Sequence, residues 1–478
     1  MPQLHGATYE VRYSNLTEPL ARYEEGGYHP VHLGDRFRYQ RYEVVAKLGF
    51  GDSSTVWLAR DHDKQRWVAL KIKTADAGES SEDRILEHLT SKFNSQTPEP
   101  RVVKLLDTFL HSGPHGLHRC LVVELLGPHI LRATQERSAD VRLSVEQAAF
   151  VPKQVLQGLA FLHSNNVWHL DMKREKILVE VPHLQSMDRE TILYHYGEPT
   201  RYNVTRQDGR PHHPAVPDYL LRTTPLAFSE YECFTHVKLI GFDQAHHNVS
   251  ASGRPRPSTA SSLNINVRYT DLIIPPPESH TREYGAHTDV WLAGYVIYKL
   301  LTPPHPVPTN EPEPKWDPTD AYNMFGAWPA RFHAHKPEGA VRSLKDEFVR
   351  DYFATTTTTS ASATSSTASQ TAVPSSTSTS SAGGPGVEGT QTRMRASTTS
   401  MAGTGGTMTT GESSVLTDSV AMAEEPGRQR RGEWSRETVV KVGEVLMLMM
   451  RAEPKRRPTA LEAGVGIEMA LEVERGGG

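Results

Sequence analysis

Cysteine is nearly missing from this 478-residue chain, which has only Cys120 and Cys233. That excludes a disulfide framework as the source of stability and fits a reducing compartment. Long hydrophobic runs are missing too. Nothing approaches the length of a membrane span, and the opening MPQLHGATYEVRYSNLTEPL has no apolar stretch of the kind a secretory leader needs. A soluble intracellular protein with no membrane partner is the expectation. Charge of one sign is not in excess: 52 basic residues face 56 acidic ones, a net charge of −4, so no global field points to direct nucleic-acid binding. Hydrophobic residues are scarce at 37%, and the shortage has one main cause. Residues 354–432 are built largely from Ser, Thr, Gly and Ala. Such a stretch cannot bury enough apolar surface to offset chain entropy, and it reads as a disordered insertion.

Elsewhere the chain is patterned. From Tyr42, the runs YEVVAKLGFG, STVWLARD and RWVALKIK are β-rich and separated by turn residues, which predicts an antiparallel meander. A helix is expected near 82–89, followed by apolar runs at 102–110 and 120–126. Beyond them, Ala148, Val151, Val155, Leu159 and Leu162 form the apolar stripe of a long helix. Strands first and helices later predict an α+β chain with a small β-rich lobe and a larger, mainly helical one. Residues 182–232 are polar, without a clean period, and read as a surface insertion. Order resumes near Trp434: VVKVGEVLMLMM is an apolar helix, its methionines core filler, and TALE at 459–462 is a capping box opening a last helix. The expected boundaries are a lead-in over 1–40, a first lobe over 41–126, a second over 127–353, the insertion over 354–432 and terminal helices over 433–472.

Three motifs carry chemistry. Gly49-Phe50-Gly51-Asp52-Ser53-Ser54 is a glycine turn between strands where backbone N–H groups can approach phosphates; on its own it reads better as an ordinary hairpin with glycines at positive φ. No Gly-Lys-Ser/Thr follows, so it is not a Walker loop. Val68-Ala69-Leu70-Lys71 ends an apolar strand in a cation suited to clamping phosphates, with Glu82 the candidate carboxylate to hold it. In VWHLDMKREKILVE, His169-x-Asp171-x-Lys173 puts a carboxylate and an ammonium side by side in a loop. There Asp171 suits acceptance of a hydroxyl proton and Lys173 suits a transferring phosphate.

In this order the motifs resemble the eukaryotic protein kinase catalytic domain, over about residues 40–470. EEGGYHPVHLGDRFRYQRYEVVAKLGFGDSSTVWLARD is similar to the SR-protein kinases, and the insertion carrying VPDYLLRTTPL resembles their fungal-type branch. The resemblance implies a two-lobed kinase fold and a monomer located in cytoplasm and nucleus. It also implies a serine/threonine kinase that moves the ATP γ-phosphate to Ser in Arg/Ser-rich proteins, with Mg2+ as cofactor. By resemblance, the ATP site comprises Leu48, Gly49, Gly51, Val56, Ala69, Lys71, Glu82 and the hinge backbone from Glu124 to Leu126. Asp171 and Lys173 are the catalytic pair, and His169 and Asp289 brace their loop. Arg457 is expected to pair with Asp271, the carboxylate closing the activation segment. Leu170, where many kinases have Arg, implies that activity does not require a phosphorylated activation loop.

Two departures fall on the metal. The family's Asn ligand, five residues after the loop Asp, is Lys176 here, and the Asp of Asp-Phe-Gly is Gly241 within LIGFDQA. An ammonium supplies no oxygen ligand. Asp243 is the substitute metal ligand that remains. Strand side chains repeat faces every two residues, so a two-residue slip would aim it correctly, but Gln244-Ala245 continue the family sequence unslipped. Two readings follow: an active kinase, or a pseudokinase that binds nucleotide weakly or without metal and acts as scaffold or regulator.

Overall fold

The computed structural model describes residues 3–11, 17–78, 81–93, 99–130, 143–197, 199–223, 234–249, 276–279, 283–302, 345, 348–349, 352, 434–451 and 453–476. All of them lie in one compact unit, formed by 1–356 with 430–478. The stretch 354–432, Cys233 and Asp271 lie outside the described residues.

Two short strands open the chain, β1 (Gln3–Leu4) and β2 (Ala7–Val11). Next come β3 (Arg36–Phe37), β4 (Tyr42–Gly51), β5 (Ser54–Asp61), β6 (Arg66–Lys73), helix α1 (Ser81–Ser91), β7 (Leu105–Gly113) and β8 (Gly116–Glu124). The last six strands form one antiparallel sheet in the order β3-β4-β5-β6-β8-β7. Alternation sorts its side chains onto two faces. Trp57, Ala59, Val68 and Leu70 enter one core, while Leu58, Trp67 and Ala69 enter the other, which continues into the second lobe. Lys71 shares the face of Ala69 and so looks toward that lobe.

Helix α2 (Val145–Ser164) starts the second lobe behind a capping box between Ser144 and Gln147. The short strands β9 (Val167–Trp168) and β10 (Ile177–Val179) follow, then α3 (Arg189–Tyr196), β11 (Arg201–Arg206), β12 (Tyr219–Leu221), β13 (Val237–Leu239) and β14 (His246–His247). Strand β9 pairs with β14, and β10 with β13. Helix α4 (Ala286–Leu301) is buried on nearly all sides, as its apolar sequence requires, and packs with α2 and α5 (Arg436–Met449), while α6 (Ala460–Gly476) packs on α2 and α5. At the start of α6, the Glu462 N–H donates to Thr459 Oγ1 at 3.2 Å and the Thr459 N–H to the Glu462 carboxylate at 2.8 Å, closing the expected capping box. The two-lobed α+β expectation is met.

The polar segments prove more structured than their patterning suggests. Strands β1, β2, β11 and β12 form a four-stranded sheet that joins the lead-in to the insertion, over a small core of Leu4, Tyr9, Tyr23, Tyr28, Val204 and Leu220.

Candidate active site

Between the lobes, the sheet supplies a ceiling and the loops after α2 and β13 supply a floor. Gly51 pairs with Ser54 across the β4–β5 turn. Neither Gly49 nor Gly51 has a positive φ, and a Cβ added to either would meet no atom within 4 Å. The hairpin itself therefore does not demand glycine; the missing side chains leave open space, as a phosphate approach would require. The loop is anchored from behind, where Tyr28 donates its hydroxyl hydrogen to the Gly51 carbonyl at 2.8 Å, and Glu18 of the lead-in pairs with buried Lys47. Leu48 and Val56 are half-buried against the main core; Ala69 and Leu126 are buried. The Glu124 carboxylate turns away to Lys238 and the Lys104 N–H, and Gly127 N–H binds the Val179 carbonyl at 2.8 Å, tying the linker to β10.

Lys71 and Glu82 meet. The Lys71 Nζ lies 2.7 and 2.9 Å from the two Glu82 oxygens, and Lys73 adds a contact of 3.1 Å to Oε2. Lys71 is also 2.7 Å from Asp243 Oδ1. Burial alone would lower the Lys71 pKa, but Glu82 and Asp243 reverse that and hold it above the ordinary lysine value. Burial likewise pushes the Asp243 carboxyl up, and the charges of Lys71 and Lys176 outweigh it, holding it far below the usual range. Asp243 is therefore an anion.

Asp243 arrives there without the strand slip. Ile177 pairs with Leu239, and the Ile240 N–H binds the Lys176 carbonyl at 2.9 Å. Gly241 then turns left-handed, with φ of 78° and ψ of 66°, and a 3-10 turn over Phe242–Gln244 carries Asp243 back under Lys71. Phe242 is fully buried, its ring 5.1 Å from that of His169. The register is the unslipped one expected, and a left-handed glycine does what a slip would otherwise have been needed for.

On the floor, Asp289 organises the loop. Its carboxylate accepts the His169 N–H at 2.8 Å and the Leu170 N–H at 2.7 Å, with His163 Nε2 at 3.0 Å. Leu170 is held left-handed at φ 59°. His169 donates from Nε2 to the Ile240 carbonyl at 3.0 Å, leaving Nδ1 to accept the Asp171 N–H at 3.3 Å. That is a neutral ring, and burial lowers its pKa despite Asp289. The Asp171 carboxylate faces the cleft with Lys173 Nζ at 3.3 Å and Lys176 Nζ at 3.5 Å; Lys176 is 3.6 Å from Asp243 Oδ2.

Among the described residues, the carboxylate that Arg457 binds is Glu278. Its two Nη atoms clasp the carboxylate of Glu278, at 2.6 and 2.9 Å, with both side chains buried. The closing carboxylate is thus Glu278 in PPPES, and Asp271 lies outside the described residues. The two-pronged geometry suits a fully desolvated pair. Sequence reading missed Glu278 although the prolines before it mark the end of a segment. It also missed Lys73 and His163, which no motif flags.

Magnesium binds hard oxygen ligands in octahedral geometry. Here one candidate oxygen donor, Asp243, is engaged by two ammoniums, and the other position is itself an ammonium. The residues present do not fit the ion.

These features define a protein kinase fold, and residues 42–188 match the family described as protein kinase domain. That span includes the glycine turn, Lys71, Glu82 and the Asp171 loop, and stops short of Gly241. Within the class, the chain is 41% identical over 174 residues to the serine/threonine-protein kinase SRPK of Physarum polycephalum, covering 35% of this chain and 40% of that one. It is 40% identical over 185 residues to protein kinase dsk1 of Schizosaccharomyces pombe, covering 36% and 33%. Against human SRSF protein kinase 3 it is 39% identical over 163 residues, covering 33% and 28%. Over this segment the chain is similar to SRPK-type protein kinases, and the matches span 40% or less of these relatives' lengths.

Proposed function

We propose that the chain is a serine/threonine protein kinase of the SR-protein kinase type, transferring the ATP γ-phosphate to Ser in Arg/Ser-rich proteins. The observation that carries this reading is Lys71, held by Glu82 and Asp243 across the cleft from Asp171. The kinase domain implies ATP. In the reaction, the Ser Oγ forms a bond to the γ-phosphorus while the bond to the β-phosphate oxygen breaks. Asp171 accepts the hydroxyl proton, and ADP leaves. Lys71 holds phosphate oxygens, and Lys173 offsets charge on the transferring group. Arg/Ser-rich substrates would place the protein in cytoplasm and nucleus, which a fluorescent fusion would locate.

Transfer of labelled phosphate to an Arg/Ser peptide tests this. Wild type should exceed Asp171→Ala by about 10²- to 10⁴-fold. A second reading, nucleotide binding without transfer, is favoured by the contact between Lys176 and Asp171, which engages the proton acceptor. Equal incorporation by both proteins, with nucleotide still bound, would select it.

A further inference from the structure

We propose that Lys176 is the built-in cation of this cleft, so that a nucleoside di- or triphosphate binds here without a divalent metal. The proposal rests on reading the cleft as a nucleotide site and says which charge receives the phosphates there.

Three observations converge on it. First, the Lys176 ammonium lies between two carboxylates, 3.5 Å from Asp171 Oδ2 and 3.6 Å from Asp243 Oδ2. These contacts are wider than the 2.7 Å between Lys71 and Asp243, and the side chain keeps 18% of its surface exposed. Its protons are therefore placed to meet incoming phosphate oxygens as well.

Second, the two departures from the kinase pattern form one device. A Cβ on Gly241 would fall 2.3 Å from Lys176 Nζ, 2.4 Å from Cδ and 2.8 Å from Cε. An aspartate at 241 and a lysine at 176 in this pose exclude one another. Gly241 vacates the volume that Lys176 fills, and its left-handed φ redirects the chain so that Asp243 supplies the carboxylate. The lysine is fixed in the backbone on both sides: its N–H binds the Lys173 carbonyl at 2.9 Å, and its own carbonyl accepts from Ile240.

Third, the charge balance suits an anion. Three ammoniums, those of Lys71, Lys173 and Lys176, contact the two cleft carboxylates of Asp171 and Asp243, so an incoming phosphate meets lysine protons there. A divalent ion would have to enter against Lys176.

Titration of the full chain with a fluorescent ATP analogue, in excess EDTA and in excess magnesium, tests the assignment. The dissociation constants should agree within about threefold, and Lys176→Met should weaken binding in EDTA by about tenfold or more. Adenosine affinity should not change, because it has no phosphates. Lys176→Asn, which restores an oxygen ligand, should make binding depend on magnesium. Binding of wild type only when magnesium is present would overturn the inference and leave the nucleotide site standing. No binding in either buffer would overturn the nucleotide site, and the inference with it.

Discussion

Lys176 and Lys238 both sit among carboxylates, Lys176 in the turn just before β10 and Lys238 on β13, two strands that pair Leu178 with Lys238 and Ile177 with Leu239. Lys238 is fully buried, with its Nζ 2.8 Å from Glu99, 2.8 Å from Glu124 and 3.5 Å from Glu180. Three carboxylates surround one ammonium. Their oxygens are spaced closely enough to hold a metal ion, yet Lys238 already occupies their midst. It joins β13 to the end of β8 just before the interlobe linker. In the cleft the proportion is reversed, with ammoniums in the majority and the lysine partly open. The same pairing of groups thus closes a structural seam in one place and leaves room for an anion in the other. What differs is the local charge balance and the access of water.

The largest expected effect lies on the structural side. Lys238→Met takes a fully buried ammonium from among three partly exposed carboxylates and should lower unfolding stability by about 3 kcal/mol in denaturant titration. A loss below about 1 kcal/mol would remove the distinction between the two lysines. Next is Gly241→Ala, which forces a side chain into the left-handed region and against Lys176. It should cost about 1–2 kcal/mol, whereas Gly49→Ala, with open space around it and no positive φ, should cost clearly less.

A pH scan separates these lysine clusters from the histidines of the first lobe. Burial lowers His29 to about 2 and also lowers His111, His115 and His118. Their folded values lie below the unfolded value near 6.5, so below that pH the unfolded chain takes up protons that the fold refuses. Stability should fall as pH drops through about 6.5, by about 1 kcal/mol per pH unit from His29, with His111, His115 and His118 acting in the same direction. The Asp243 carboxylate, held far below its ordinary range, stays charged over the same scan, so nucleotide affinity per folded molecule should hold. The smallest stability effect is expected from Lys176→Met, under about 0.5 kcal/mol, because Lys173 and Lys71 still neutralise its two partners.

Much of the cleft was legible in the sequence because its parts are local. Lys71 ends a strand whose alternation fixes its face, and Glu82 follows on the next helix. Asp171 and Lys173 sit two apart in one loop. The route of Asp243 was not legible. It depends on the left-handed backbone of Gly241, and glycine permits that conformation without announcing it. Arg457 was given Asp271 because RYTDLII matched a family pattern, while the contact that forms reaches Glu278, seven residues further on. The sheet joining β2 to β11 was also hidden. Its strands are short and polar, and the pairing of Thr205 with Glu10 spans the whole first lobe and part of the second in sequence, beyond any periodicity.

Calorimetric titration of ATP into Lys176→Met and Lys238→Met, both in EDTA and alongside their melting curves, tests the contrast most directly. The charge-balance account predicts that Lys176→Met keeps the wild-type melting temperature and loses ATP affinity about tenfold. Lys238→Met should melt earlier and, while folded, bind ATP as wild type does. Unchanged ATP affinity in Lys176→Met would contradict the account.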